Sequence, residues 1–276
     1  MKILVTGANG YLGQGIVKTL LNNGHEVLAT DITTNNIDKR ARCINSNLFE
    51  VDDPYVFYQK PDILLHTAWR DGFIHNSDKH LADLNKHYMF IEKLVKSGVK
   101  QVAILGSMHE VGFYEGAIDE NTPCHPMSLY GIAKNALRDA VEILAKNYDV
   151  CFQWLRGYYI VGNSKFGNSI FSKITIAEEK GQDTFPFTTG QNQYDFIDYD
   201  DFVEQVALTV GQKEVVGIIN ICSGRPEKLA DRVERFIFEN GYKIKLAYGC
   251  FPDRVYDSKA VWGNDMKIRS VQALYK

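Results

Sequence analysis

Tyr130 and Lys134 stand four residues apart in this chain. On a helix, positions four apart share a face. A lysine ammonium beside a phenol favours the phenolate and lowers its pKa. A phenol tuned in this way gives a proton to a carbonyl oxygen, or takes one from an alcohol, near neutral pH. Ser107 follows Gly106 at the end of the apolar run Val102 to Leu105, where its hydroxyl can hydrogen-bond the same reacting oxygen. A tyrosine and lysine at this spacing also occur on exposed helices with no chemistry. Here they open a helix after a loop containing Pro123 and Pro126, which singles them out.

A second constellation is Gly7-Ala8-Asn9-Gly10-Tyr11-Leu12-Gly13, directly behind Ile3-Leu4-Val5. Gly7 permits a tight turn, Gly10 lets the backbone approach a pyrophosphate, and Gly13 lets a helix pack close to the strand. The helix N-terminus, with Tyr11 and Leu12 in its first turn, holds a diphosphate through unpaired N–H groups and its dipole. Two residues separate each pair of glycines, unlike the Gly-x-Gly-x-x-Gly of ordinary dehydrogenases. Asp31, followed by Ile32, lies about twenty residues beyond the turn, where an acid accepts hydrogen bonds from the adenosine ribose and repels a 2′-phosphate. That favours NAD(H); Lys39 and Arg40 downstream soften the preference and leave NADP(H) open. The alternative for Asp31 is an acidic cap on the following turn.

These residues need strands and helices to carry them. Apolar runs at Lys2 to Thr6, Glu26 to Thr30, Ile63 to His66, Val102 to Leu105, Phe152 to Arg156 and Ile218 to Ile221 alternate with helical stretches. The helices are expected at Leu12 to Asn22, Asp78 to Ser97, Leu129 to Lys146 and Asp201 to Gly211. The alternation predicts an α/β fold, a Rossmann-type doubly wound parallel sheet with helices on both faces. Residues 1–162, with 194–222 returning, are expected to form the dinucleotide-binding part. Residues 163–193 and 223–276 are expected to form a small discontinuous substrate lobe over the carboxyl ends of the strands.

Composition narrows the function. The chain has 276 residues, 45% of them hydrophobic, with a formal net charge of −3, enough for one substantial core and against a nucleic-acid or membrane-binding surface. No stretch reaches the ~18 apolar residues of a spanning helix. The five cysteines, Cys43, Cys124, Cys151, Cys222 and Cys250, are scattered without Cys-x-x-Cys pairing, and are read as reduced core residues of a cytoplasmic protein with no metal.

Together these pieces resemble the extended short-chain dehydrogenase/reductase family, in its nucleotide-sugar epimerase/dehydratase/reductase group, and most nearly a deoxysugar 4-ketoreductase. The matching residues cover most of the chain: Gly7-x-x-Gly10-x-x-Gly13, Asp62 to Ala68, Asn85, Ser107 with Val111-Gly112, Tyr130 with Lys134, Leu155-Arg156, Asp195-Phe196-Ile197 and Asp200-Asp201. The resemblance implies Tyr130 as general acid/base and Ser107 as the group polarising the carbonyl. It gives Lys134 two tasks, lowering the tyrosine pKa and holding the nicotinamide ribose. It further implies Asn47 and Leu48 beside the adenine, His66, Ala68 and Trp69 along the dinucleotide path, Tyr158 near the nicotinamide amide, and Asn85 supporting the active-site helix.

Departures from the family sharpen the reading. Met108 and His109 stand where 4,6-dehydratases carry Asp-Glu, so water elimination is excluded. Tyr159 replaces an asparagine that often contacts the substrate diphosphate, and Tyr194 replaces an arginine. Substrate contacts are expected from Arg70, Met108, His109, Tyr159, Asn168, Arg225 and Arg254, since arginine forks suit phosphate oxygens. Each arginine alone also reads as a solvated surface residue, and His109, with Glu110 beside it, as loop packing or a sugar contact. The expected activity is NAD(P)-dependent reduction of a dTDP-, GDP- or CDP-linked 4-keto-6-deoxy sugar for bacterial surface polysaccharide. The alternatives are a nucleotide-sugar epimerase with tightly bound NAD and a non-catalytic cofactor-binding protein. A homodimer is expected through the helices near Asp78 to Ser97 and Leu129 to Lys146.

Overall fold

Apolar runs too short for helices become strands buried on both faces, and in this chain they lie side by side. The computed structural model describes residues 1–162, 169–252 and 257–276. Its first strands are β1 (Lys2–Thr6), β2 (Glu26–Asp31), β3 (Arg42–Asn45), β4 (Ile63–His66), β5 (Gln101–Ser107), β6 (Gly116–Ile118) and β7 (Cys151–Gly157). There follow β8 (Tyr159–Val161), β9 (Thr184–Pro186), β10 (Gln193–Asp198), β11 (Gly217–Ile221), β12 (Pro226–Lys228), β13 (Lys245–Ala247) and β14 (Ala260–Gly263). The helices are α1 (Tyr11–Asn22), α2 (Pro54–Phe57), α3 (Lys79–Ser97), α4 (Leu129–Asn147), α5 (Ile170–Glu179), α6 (Tyr199–Val210), α7 (Leu229–Glu239) and α8 (Met266–Ala273).

Seven strands form a parallel sheet in the order β11-β7-β5-β4-β1-β2-β3. Successive side chains of a strand point to opposite faces. Accordingly Ile3 and Val5 enter a cluster with Ile16 and Leu20 of α1, Phe202 and Val206 of α6, and Val271 of α8. Leu4 enters the cluster on the other face, with Phe90 and Leu94 of α3 and Leu137 and Val141 of α4. The strand order reverses between β1 and β4, which opens a crevice beyond their carboxyl ends. Thr6 and His66 are paired there, immediately before the glycine turn and Thr67-Ala68.

A second sheet runs β12-β10-β14-β6, with β8 alongside β10, and β9 pairs separately with β13. Its apolar side packs Phe171 and Ile174 of α5 against Phe196, Val233 and Phe236. The buried carboxylate of Asp195 knits it together, accepting the N–H groups of Ser223 (2.8 Å), Gly224 (2.9 Å) and Gly263 (3.1 Å). The chain is thus shared differently from the sequence expectation. β6, from within residues 1–162, and β10, which straddles the expected boundary between residues 193 and 194, both belong to the second sheet.

Candidate active site

The glycine turn shows three different needs. A Cβ on Gly7, at φ +66°, would lie 2.7 Å from the Cα of Ala68, and one on Gly13 would lie 2.2 Å from the Gly7 carbonyl. Both glycines are required by the protein's own packing. A Cβ on exposed Gly10 would meet only the Gly7 carbonyl, at 3.2 Å, so the space it leaves faces outward. No described side chain caps α1 and no acid lies in its first turn. Its leading N–H groups are therefore available to an anion, as a dinucleotide diphosphate requires. A cleft of about 760 Å³ lies over this turn, between Tyr11 and Arg232 of α7.

Asp31 leaves β2 beside the turn, its carboxylate accepting the N–H groups of Asn9 (3.0 Å) and Ile32 (2.8 Å). The Ile32 side chain is exposed. Arg40 is turned away, forked onto Asp38 at 2.7 Å and bonded to Asn22 at 2.9 Å. Asn47 caps the short turn Leu48–Glu50, its oxygen accepting from the Phe49 N–H and its amide donating to Glu50 at 2.8 Å. Leu48 packs against the core beside α3.

Tyr130 is fixed by what holds the start of α4. Ser128 caps that helix through the Gly131 N–H, the Leu129 N–H donates to Asn76 Oδ1 at 3.2 Å, and the Tyr130 N–H donates to the His75 carbonyl at 2.8 Å. The loop before α3 is therefore clamped onto the helix that carries the phenol. Burial pushes the Tyr130 hydroxyl up to about 12, with the Ser107 hydroxyl pulling the other way and the charge of Glu110 adding to the rise. Lys134 does not lower it. The lysine Nζ donates to the Leu105 carbonyl at 2.7 Å and lies 3.9 Å from the Trp69 ring centre. Burial takes the ammonium down to about 7, so near neutral pH it carries only part of a charge. For both groups desolvation outweighs the attraction expected from their spacing.

Around Tyr130 stand Trp69, His75, His80 and His109, with ring centres 5.3–6.2 Å away. His80 takes the Trp69 indole N–H on Nδ1 at 3.0 Å and donates from Nε2 to the Ile74 carbonyl at 2.9 Å. The carbonyl can only accept, which fixes His80 as the neutral Nε2–H tautomer. Trp69 stacks on His87 at 4.6 Å. His109 lies 4.4 Å from His75 and 6.4 Å from Tyr159, and burial lowers its pKa to about 4. Tyr159 and Tyr194 meet ring to ring at 4.9 Å, joining this cluster to the second sheet.

Several expected contacts are corrected. His66 is fully buried, with Nδ1 on Thr6 Oγ1 and Nε2 on His87 Nδ1, both at 2.9 Å, so it supports the crevice from beneath and has no nitrogen left for a cofactor. Tyr158 is buried with its hydroxyl donating to Asn220 at 3.3 Å, which commits it to β11. Arg70 is ion-paired with buried Asp83 of α3, which also holds Lys86 at 2.9 Å. Met108 lies in the core, and Glu110 is wholly buried beneath Ser107 rather than offered to a sugar. Asn85 faces outward over Met89; Asp83 and His87 occupy the inward face of α3. Arg225 is exposed at the entry to β12. Asn168 and Arg254 lie outside the described residues.

Sequence reasoning passed over His75, His80 and His87, and read Glu110 only as a sugar contact or loop packing. One signal was present: His80, Asp83 and His87 fall on the same face of α3 as Phe90, Ile91 and Leu94, a polar extension of an apolar stripe. His75 and Glu110 lie in or beside irregular turns, where no period exists to read.

The sequence pattern of the NAD dependent epimerase/dehydratase family matches residues 3–222. The dTDP-6-deoxy-L-talose 4-dehydrogenase (NAD(+)) of Aggregatibacter actinomycetemcomitans is 43% identical over 269 residues, 95% of this chain and 99% of that protein. The dTDP-4-dehydrorhamnose reductase of the same organism is 23% identical over 222 residues, 78% of this chain and 69% of that protein. Among solved structures, the UDP-N-acetylglucosamine 4-epimerase of Methanobrevibacter ruminantium superposes with a TM-score of 0.84 at 18% identity, covering 98% of this chain and 91% of that one. The UDP-glucose 4-epimerase of Thermus thermophilus, in complex with NAD, gives 0.82 at 19% identity, covering 98% and 92%. At these identities the structural likeness speaks for the fold.

Proposed function

The chain belongs to the NAD dependent epimerase/dehydratase family, and from that membership we propose that it transfers hydride at C4 of a dTDP-linked 6-deoxyhexose. Oxidation of the alcohol and reduction of the 4-keto sugar are one reaction read in two directions. The observation that carries the reading is the likeness, over nearly the whole of both chains, to a dTDP-6-deoxy-L-talose 4-dehydrogenase. The surroundings of Tyr130 agree with it. They comprise one phenol, the Ser107 hydroxyl, histidines and a tryptophan, while the carboxylate closest along the chain, Glu110, is turned into the core. Among the described residues, such a set moves one proton at one oxygen and lacks the acid pair that water elimination needs.

In this reading the α1 N-terminus holds the diphosphate of NAD, Asp31 takes the adenosine ribose hydroxyls, and Lys134 meets the nicotinamide ribose. Bound NAD supplies the hydride acceptor, or as NADH the donor. Tyr130 gives its hydroxyl proton to the carbonyl oxygen during reduction, and in oxidation its phenolate form takes the proton of the C4 hydroxyl back. Ser107 donates to the same oxygen and holds it in line. His109 and Tyr159 border the sugar on the side of the second sheet. The outward faces of α3 and α4, which expose Met89, Ile132 and Ile143, form the contact of a homodimer.

The test is incubation with NAD and dTDP-6-deoxy-L-talose, separately with NADH and a dTDP-4-keto-6-deoxyhexose, and separately with NAD and dTDP-glucose. The absorbance of reduced nicotinamide and the product mass are followed. One NADH formed or consumed per product, with a mass change of one hydrogen molecule, supports the reading. A new stereoisomer without net cofactor turnover, or loss of water from dTDP-glucose, overturns it.

A further inference from the structure

The Glu110 carboxylate lies fully buried directly under Ser107. One of its oxygens accepts the Ser107 N–H at 2.5 Å, while the Ser107 hydroxyl accepts the His109 N–H at 3.3 Å, so each end of the turn Met108–Glu110 closes on the other. The Trp154 indole N–H reaches both carboxylate oxygens at 2.9 Å. Arg138 Nη1 and Arg156 Nε approach the second oxygen at 3.5 Å and 3.6 Å. Gly106 makes room for the assembly: a Cβ there would lie 2.1 Å from the indole nitrogen and 2.7 Å from the carboxylate.

These partners come from three elements. Ser107 ends β5, Trp154 and Arg156 lie on β7, and Arg138 lies on α4, four residues beyond Lys134 and eight beyond Tyr130. Residues at this spacing share a helix face. One carboxylate thus ties the strand end bearing the serine to the helix face bearing the phenol. Stability is a poor account of it, because the cost of taking such charges out of water often exceeds what their pairing returns. What the arrangement does supply is register between two hydroxyls that must meet at one oxygen.

We propose that Glu110 is a positioning residue that fixes the Ser107 hydroxyl relative to Tyr130, a role that rests on the hydride-transfer reading given above. Glu110→Asp keeps the negative charge opposite the two arginines but shortens the reach by one methylene. It cannot hold the Ser107 N–H and the Trp154 indole at once. Turnover is expected to fall about 10-fold or more, as displacements on the ångström scale do. The KM for the sugar and the affinity for NADH should stay within about 2-fold, since neither ligand touches Glu110.

Two further measurements separate positioning from a merely structural role. In a Ser107→Ala background, Glu110→Asp should cost little more, because the group it acts through is gone. In protein labelled with fluorotyrosine, the fluorine resonance of Tyr130, identified by its loss in Tyr130→Phe, should move in Glu110→Asp without any sugar present. Turnover equal to wild type, an undiminished loss in the Ser107→Ala background, or an unmoved resonance would each overturn the proposal. A wild-type protein that oxidises or reduces no dTDP-deoxysugar would instead sink the hydride-transfer reading, and the fluorine signal would still decide the link between Glu110 and Tyr130. Trp154→Phe, which removes one donor and no charge, should give the same pattern more weakly if Glu110→Asp folds poorly.

Discussion

Replacing Lys134 with methionine should make the protein more stable in mild acid while disabling it. Burial lowers the ammonium from an ordinary 10.5 to about 7, against a smaller opposing effect of Glu110. At about 1.4 kcal/mol per pH unit, the charged form carries a penalty of roughly 5 kcal/mol. The bond to the Leu105 carbonyl returns about 2 kcal/mol. Lys134→Met should therefore raise unfolding stability by roughly 2–3 kcal/mol at pH 6, a net figure from these two opposing quantities. Between pH 7 and 10.5 the unfolded chain holds a proton that the folded protein does not, so wild-type stability rises with pH and the advantage of the variant shrinks. Below pH 7 both states hold it and the advantage is at full size. Urea unfolding, followed by tryptophan fluorescence across this range, measures both. Turnover and NADH affinity should fall together in the same variant. A variant less stable than wild type at pH 6, or an advantage that grows with pH, refutes the picture of a costly buried ammonium.

Tyr130→Phe should lower turnover by about 100-fold or more with NADH affinity nearly unchanged, the scale of positioned acid–base catalysis; single-turnover kinetics and a cofactor titration check it, and near-normal turnover removes the phenol from its role. NADH should be used in preference to NADPH, and Asp31→Ser should narrow or invert the ratio of their kcat/KM values. A wild type that favours NADPH would mean that Asp31 does not face the ribose. Light scattering should report a dimer that Ile143→Glu converts to monomer, because Ile143 is exposed on the outer face of α4; a wild-type monomer at micromolar concentration removes the dimer.

The parallel sheet was legible because buried strands carry unbroken apolar runs: Ile3-Leu4-Val5, Ile63-Leu64-Leu65 and Val102 to Leu105 are each fully or almost fully enclosed. β3 escaped notice since Arg42–Asn45 is a largely exposed edge with no such run. The types and spacing of Ser107, Tyr130 and Lys134 suggested a chemistry, but not their ionisation. The spacing predicts an ammonium that lowers the phenol, whereas burial, a property of the folded surroundings alone, moves both groups the other way. Arg70, Met108 and Tyr158 were misdirected for a related reason. Residue type shows that an arginine suits a phosphate, yet only the packed structure shows that this one already faces Asp83.

The second sheet also bears on how the chain is made. β6 lies before α4, but its sheet neighbour β14 lies near the carboxyl terminus, pairing Gly116 with Val261 and Ile118 with Gly263. During synthesis, β1 to β5 can find their partners within the residues already made. β6 must wait, its edge unpaired, until almost the whole chain has emerged. Long-range pairing of this kind is slow, and an unpaired edge invites association with other chains. Truncation before β14 would leave β6 and one side of β10 permanently open. The crevice between β1 and β4 would then be formed early in the life of each chain, and the second sheet last.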